Sequence, residues 1–180
     1  VRDAVAIAKE QGLKLSKNTV QPKTQAFIQN IHHFRDEYVD TDAVPLEKVV
    51  VFDEAQRAWD KEQASAFMQQ KKGKADFKQS EPEFLIEVMN RHQGWCVVVC
   101  LIGGGQEINK GEAGISEWIA ALQTRFTDWS VHYSAQIEQQ AVYLSSEAQK
   151  AWLRVHAHEE TELHLAVSVR SFRSEAVAQY

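Results

Sequence analysis

Two adjacent carboxylates follow a short apolar run in the sequence VVVFDEAQRAWD, residues 49–60. Ionised carboxylates are costly to leave in a dry interior. A strand that ends on Asp53 and Glu54 must therefore place them in water or in a site that uses their charge. An apolar strand followed by Asp-Glu is the Walker B arrangement of nucleoside triphosphatases, in which the Asp holds Mg²⁺ and the Glu polarises the attacking water. The alternative is a strand that leaves the core and becomes solvated at two acids, and the short motif alone does not decide.

Two further predicted strands also end in unusual polar residues. WCVVVCLI at residues 95–102 is followed by GGGQ, which ends at Gln106, and LHLAVSV at residues 163–169 is followed by Arg170. Ligands of α/β sheets collect at the carboxyl ends of the strands. We therefore expect the Asp-Glu pair at the end of a central strand, within reach of Gln106 and Arg170.

Alternating helices and strands must position these residues. Apolar side chains at helical spacing, from Phe27 to Tyr38, predict an amphipathic helix, and Ser80-x-x-Glu83 is a capping box that opens another. The remaining segments are predicted as helices at 56–70, 114–126 and 145–155, a basic loop at 71–79, and strands at 49–52, 95–102, 129–134 and 163–169. The first two strands read as fully buried. The pattern predicts an α/β domain with a mainly parallel sheet flanked by helices.

Composition limits the function classes. The chain has 180 residues, 44% of them hydrophobic and 25% charged, which suits a single globular domain. The net charge of −5 argues against a broadly basic surface but leaves room for a local basic groove. No apolar run is long enough to span a membrane and no signal peptide is visible, so we expect a cytoplasmic protein without a membrane partner. Cys96 and Cys100 are expected to be reduced core thiols, because four residues of strand separate them too widely for a disulfide.

The longer motifs resemble those of a known family. VVVFDEAQRAWD, KKGKADFKQSEPEFLIEVMNRH, CLIGGGQEINKGEAGISEW and LHLAVSVRSFRSEA are similar to the Schlafen group 3-like DNA/RNA helicase domain family, from about residue 27 to residue 180. The resemblance implies the RecA-like P-loop NTPase core of superfamily 1 helicases. Motif II would lie at 49–60, motif III at 101–109 and a motif IV-like segment at 165–174, within one partial motor domain that spans residues 1–180.

The resemblance also implies roles for individual residues. Asp53 would coordinate Mg²⁺, Glu54 would be the general base, and Gln56 would couple the nucleotide site to motif III. Gln106 would sense the γ-phosphate and Arg170 would contact it. Arg173 competes with Arg170 for that role, because SFRS offers a second Arg-Ser pair. Gly104 stands where the family usually has an Asp, so any role of that acid is lost or reassigned.

The phosphate cradle is missing. A Walker A loop reads G-x-x-x-x-G-K-[ST], and this pattern does not occur in the sequence. We therefore expect a motor domain truncated at its N-terminus. The intact parent would use ATP and Mg²⁺, whereas this chain alone is expected to bind neither and to be inactive. The alternative is a non-catalytic module that binds nucleic acid or a protein.

Partners are predicted from a basic segment and from a strand edge. Four lysines could hold the backbone of DNA or RNA, and a solvated basic turn is the equal alternative: Lys71, Lys72, Lys74 and Lys78. Three histidines beside two glutamates, at residues 156–164, match no metal motif, and a solvated loop is expected there. Loss of the Walker A strand would leave the edge of the strand at 95–102 unpaired, which predicts a homodimer through that edge.

Overall fold

A computed structural model describes residues 31–74, 76–103 and 112–165 of the chain. The elements in these residues are α1 (Ile31–Tyr38), β1 (Val49–Phe52), α2 (Lys61–Lys72), α3 (Glu81–Met89), β2 (Val97–Cys100), α4 (Gly114–Thr124), β3 (Val131–Tyr133), α5 (Gln136–Gln139), α6 (Glu147–His156) and β4 (Ala157–Glu159). Short 3₁₀ helices cover Ala55–Arg57 and Thr161–Leu163. This mixture of helices and parallel strands is an α/β arrangement, as the sequence predicts.

β1 and β2 form a parallel pair whose two faces differ. Val49 lies opposite Val97 and Phe52 opposite Cys100, so even-numbered side chains share one face. That face packs on a core formed by residues of α1, α3 and α4. On the other face Val49, Val51 and Val97 are 49%, 58% and 42% exposed. The prediction of fully buried strands is wrong here, because the described helices cover one face only.

β3 and β4 form a second parallel pair, separate from the first in the described residues. His132 lies opposite His158, and the pair packs near α6 through a small core around Tyr133 and Leu153. The predicted loop of histidines and glutamates therefore contains a strand, Ala157–Glu159. Its backbone partners on β3 override the weak strand propensity of Ala, His and Glu.

The predicted strand at 163–169 begins differently from the expectation. Leu163 is the last residue of a 3₁₀ helix. Residues 166–169 lie outside the described part of the chain.

Helix ends follow side-chain capping. The Ser80 side chain accepts the Glu83 N–H, which confirms the predicted capping box. The Asp60 side chain accepts the Gln63 N–H, so α2 begins at residue 61 rather than at residue 56. α2 continues to Lys72, which places the first two residues of the predicted basic loop on a helix. Within the described residues, no helix is long and apolar enough to cross a membrane.

Candidate functional site

Backbone hydrogen bonds continue beyond the paired residues of β1 and β2. The Leu101 N–H donates to the Phe52 oxygen at 2.9 Å, and the Ala55 N–H donates to the Leu101 oxygen at 2.9 Å. The two chain segments therefore leave the sheet side by side. This arrangement brings the Asp-Glu pair and Gly103 to the same edge, the carboxyl end of a parallel pair.

Asp53 and Glu54 occupy the first two positions after β1. The Asp53 side chain is exposed, and its Oδ1 accepts the Glu54 N–H at 3.0 Å. Glu54 has φ 53° and ψ 42°, and among the described residues it is the one non-glycine residue with positive φ. L-residues avoid this left-handed region, so it persists where the surrounding structure imposes it, often at functional sites. The strained residue is the predicted general base.

The Gln56 side chain bridges Glu54 and Gly103. Gln56 Nε2 donates to Glu54 Oε2 at 2.6 Å, and the Gly103 N–H donates to Gln56 Oε1 at 3.4 Å. A Cβ added to Gly103 would lie 3.3 Å from Glu54 Oε2, so the glycine makes room for that carboxylate. Arg57 Nε lies 3.5 Å from the same oxygen in a half-exposed ion pair. The amide thus orients the carboxylate and ties it to the first residue of the glycine run.

Helix α4 and the residue before it also hold this turn through hydrogen bonds. Ala55 and Ala58 are fully buried. The Trp118 indole N–H donates to the Ala55 oxygen at 2.9 Å, and the Ala113 N–H donates to the Ala58 oxygen at 2.6 Å. The segment that follows the glycine run therefore contacts the turn that follows Asp53 and Glu54.

Three predicted site residues lie outside the described part of the chain. They are Gln106, Arg170 and Arg173. Their predicted contacts with the γ-phosphate, and the predicted reach of Glu54 to Gln106 and Arg170, stay predictions.

The predicted nucleic-acid contacts lie at the end of α2 and in the loop after it. The four residues are Lys71, Lys72, Lys74 and Lys78. Lys72 Nζ lies 2.9 Å from Asp36 Oδ2, and Lys74 forms an ion pair with Asp40. Lys71 and Lys78 are exposed and form no ion pair with the described residues. Two of the four charges are thus offset by neighbouring acids, which leaves the exposed pair as the better candidates for a phosphate backbone.

A cleft of about 640 Å³ lies beside these lysines. Its charged lining is mixed, with Asp40, Asp42, Asp76 and Glu87 facing Lys74 and Arg91. Arg91 donates to two backbone oxygens of the loop after α1, so it is already engaged. The cleft therefore presents no concentrated positive charge.

A buried carboxylate that the sequence analysis did not single out lies close to the candidate site. Glu81 is 0% exposed and Arg35 is 1% exposed, and Arg35 NH1 donates to Glu81 Oε1 at 3.0 Å. Arg35 lies four residues after Ile31 on the apolar face of α1. A cation on an apolar face is a signal that predicts a buried partner. Nothing in the sequence identifies Glu81 as that partner, because a Glu in the first turn of a helix is ordinary.

The donor atoms at the end of β1 suit a magnesium ion held mainly by water and phosphate. Mg²⁺ in nucleotide sites is commonly bound through one or two carboxylates, with waters and substrate phosphates completing its shell. The exposed Asp53 carboxylate fits that description. No group of three or more His, Cys, Asp or Glu residues that could hold a metal occurs in the described ranges.

Comparison with known proteins gives one family. No curated protein and no solved structure matches the chain. The model of the family described as "Schlafen group 3, DNA/RNA helicase domain" matches residues 2–180, nearly the whole sequence. The chain therefore belongs to the Schlafen group 3 DNA/RNA helicase domain family.

Proposed function

We propose that this helicase-like domain is part of the nucleotide site of an ATP-dependent DNA/RNA helicase or translocase. The observation that carries the proposal is the turn after β1, in which a left-handed Glu54 is tied through Gln56 to Gly103 at the carboxyl end of β2. A RecA-like motor needs a water-orienting group and a sensor at this edge of its sheet. The pairing of the Asp-Glu strand with the strand that leads into the glycine run supports such a site.

The residues take separate roles in this proposal. Asp53 would hold Mg²⁺, which when bound would neutralise the charge that develops on the transferred phosphoryl group. Glu54 accepts a proton from the attacking water. Gln56 orients the Glu54 carboxylate, and through Gly103 it couples this carboxylate to the segment that contains Gln106.

Positive charge on the γ-phosphate would come from Arg170, with Arg173 as the competing residue. Phosphoryl transfer depends on such positioned charge more than on covalent chemistry. The nucleic acid would contact the exposed Lys71 and Lys78 more strongly than the ion-paired Lys72 and Lys74.

The Glu54→Gln substitution tests the proposal. The experiment uses the longest natural form of the protein that contains these residues and a Walker A loop. The variant removes the base but keeps the hydrogen-bonding shape, so we expect a loss of turnover of at least ~10²-fold with nucleotide affinity retained. Steady-state ATP hydrolysis and calorimetric binding measure the two effects.

Glu62→Gln is the matched control, because Glu62 is an exposed residue of α2 and forms no part of the turn that carries Glu54. Its turnover should equal that of the unmodified protein. Equal losses of binding and turnover in Glu54→Gln would instead make Glu54 a structural residue.

A second candidate function is a non-catalytic nucleic-acid-binding or protein-interaction module. The motif G-x-x-x-x-G-K-[ST] does not occur within residues 1–180, and backbone N–H groups and the lysine of that loop supply most of the affinity for a triphosphate. For the chain of residues 1–180 we expect no ATP hydrolysis and no ATP binding tighter than about millimolar. Micromolar binding of ATP in calorimetry would contradict this expectation. Tight binding of a nucleic acid or protein by forms that never hydrolyse ATP would favour the second candidate.

A further inference from the structure

A buried ionic cluster joins α1 and α3 to the end of the turn that carries Glu54. Glu81 Oε1 lies 2.7 Å from His32 Nδ1 and accepts from Arg35 NH1 at 3.0 Å. The same guanidinium donates to Asp36 Oδ1 at 2.7 Å through NH2. Burying a carboxylate and a guanidinium is costly unless both are well paired, and such pairs are a weak source of stability compared with apolar replacements. Stability alone therefore does not account for this buried ionic cluster, and we look for a second role.

The other oxygen of Glu81 is directed at the backbone of Trp59. The Trp59 N–H donates to Glu81 Oε2 at 2.8 Å, and the Glu81 N–H donates to the Trp59 oxygen at 2.9 Å. Both backbone polar groups of Trp59 are therefore satisfied by a single residue. Two reciprocal hydrogen bonds to Glu81 thus hold the backbone of Trp59.

The indole of Trp59 is also enclosed by side chains of this cluster. The His32 ring centroid lies 4.3 Å from it, the Arg35 Cζ 4.9 Å and the Phe67 ring centroid 5.0 Å. Arg35 Cζ also lies 4.7 Å from the Phe67 ring, so the guanidinium is placed between two aromatic rings. The cluster thus fixes Trp59 through its backbone and through its ring.

Trp59 ends the short segment that begins at Glu54. The Arg57 N–H donates to the Glu54 oxygen at 2.9 Å, and the Ala58 N–H donates to the Ala55 oxygen at 3.3 Å. This segment is a single tight turn with no longer element to absorb a displacement. Trp59 is thus joined to the left-handed Glu54 through one hydrogen-bonded turn of backbone.

We propose that Glu81 is a positioning residue: with Arg35 it clamps the backbone of Trp59 and so keeps Glu54 and Gln56 in place beside Gly103. This inference rests on the proposed function for its catalytic consequence, although the clamp itself is a property of the described residues. Gly103 and Trp118 contact residues at the start of the turn, and Glu81 contacts Trp59 at its end, so the turn is held at both ends.

Three variants separate positioning from general stabilisation. Glu81→Gln keeps an acceptor for the Trp59 N–H but removes the charge that holds Arg35. The double variant Arg35→Met/Glu81→Leu replaces the buried pair by apolar side chains, which should spare the core but leaves the Trp59 N–H without its acceptor. Glu83→Gln is the control, because Glu83 lies on the same helix and pairs with Arg125 at the surface.

Amide hydrogen exchange in the chain of residues 1–180 is the primary measurement. For each amide, the exchange rate in the double variant is divided by the rate in the unmodified chain. We expect this ratio to be on the order of tenfold larger for residues 55–59 than for α4. Glu81→Gln should give a smaller increase in the same amides, and Glu83→Gln none. Exchange at residues 55–59 that stays unchanged, or that rises only in step with α4, overturns the proposal. The double variant keeps the test decisive if Glu81→Gln fails to fold.

ATP hydrolysis by a natural form of the protein that includes a Walker A loop, the longer protein, gives the second measurement. A positioning role predicts a lower kcat for Glu81→Gln with the KM for ATP unchanged. An unchanged kcat with altered exchange would leave Glu81 as a clamp of the turn and overturn its link to catalysis. If the longer protein hydrolyses no ATP, the proposed function fails, and the exchange result still decides whether Glu81 is the clamp.

Discussion

At the scale of the residue, Glu54 combines an unfavourable backbone with a side chain that makes close contacts. Its φ of 53° carries a steric cost of about 1–2 kcal/mol for an L-residue. The Glu54 side chain accepts a hydrogen bond from Gln56 and fits the space beside Gly103. Truncation of this side chain removes both contacts. Backbone and side chain therefore make opposite contributions to stability at this position.

This opposition predicts the order of stability of two substitutions. Glu54→Gly removes the backbone strain and Glu54→Ala keeps it, while both remove the same side-chain contacts. We expect the glycine variant to be more stable than the alanine variant by about 1 kcal/mol, measured by urea unfolding of the chain. An alanine variant at least as stable as the glycine variant would show that the left-handed conformation carries no strain.

Cys100 offers a second test at a single residue. Burial raises the pKa of its thiol to about 12, and burial also raises the pKa of Cys96, against the opposing charge of Lys48. At pH 8 only about one Cys100 thiol in ten thousand is a thiolate, and the thiolate is the reactive form. We expect iodoacetamide to alkylate Cys96 well before Cys100 in the folded chain, as followed by mass spectrometry. Equal rates under native conditions would contradict this, whereas equal rates in denaturant are the expected control.

At the scale of the element, α4 is attached to the turn by a buried hydrogen bond. The Trp118 indole donates to the Ala55 oxygen at 2.9 Å, and Trp118 is 5% exposed. Trp118→Phe keeps most of the ring in the core but leaves the buried Ala55 oxygen with the more distant Ala58 N–H, at 3.3 Å, as its donor. We expect the free energy of unfolding, measured with urea, to fall by about 1–2 kcal/mol.

Trp129→Phe is the matched control for this loss. Its indole donates to Asn90 Oδ1 at 2.9 Å in an exposed hydrogen bond, and water can replace that donor. The control should lose less than about 1 kcal/mol. Equal losses in the two variants would mean that ring packing, and not the hydrogen bond, joins α4 to the turn.

The elements also show what the sequence predicts well and what it does not. β1 has the predicted bounds, and its pairing with β2 is parallel, as the α/β pattern predicts. The pattern does not predict that β2 is its neighbour. Local signals are sufficient for the strand bounds and for the start of α3, since apolar runs and the Ser80 cap act over a few residues.

Features that depend on distant contacts were missed. The strand Ala157–Glu159 forms because β3 offers its backbone, and Glu81 is buried because Arg35 lies against it. Local sequence propensity identifies neither β3 nor Arg35 as the partner. The structure places Gln56 against Gly103, while the roles of Gln56, Gln106 and Arg170 remain untested predictions.

At the scale of the whole molecule, the β1–β2 pair presents apolar surface to water. Val49, Val51 and Val97 are exposed on one face, and β2 pairs with no strand other than β1 among the described residues. An unpaired edge beside exposed valines favours pairing with another chain. We expect residues 1–180 to self-associate through this region at micromolar concentration, as measured by analytical ultracentrifugation.

A charged substitution on the exposed face tests that expectation. Val51→Lys places a cation where the side chain is already 58% exposed, so the fold should tolerate it. Dimers should dissociate in this variant. Leu163→Lys changes a similarly exposed apolar residue elsewhere, at 51%, and should leave the dimer intact. A chain that is monomeric before substitution would refute the prediction.

The parallel pairing of β1 with β2 also sets the order in which the chain can fold. No short hairpin can nucleate this pair, because α2 and α3 lie between the two strands in sequence. The whole connection that contains these helices must close into a loop before the first hydrogen bond between β1 and β2 forms. During synthesis the turn after β1 stays unfinished until Leu101, Ala113 and Trp118 have left the ribosome to bond with it. For that interval the nascent chain exposes a valine strand with no partner, which is the kind of segment that chaperones bind.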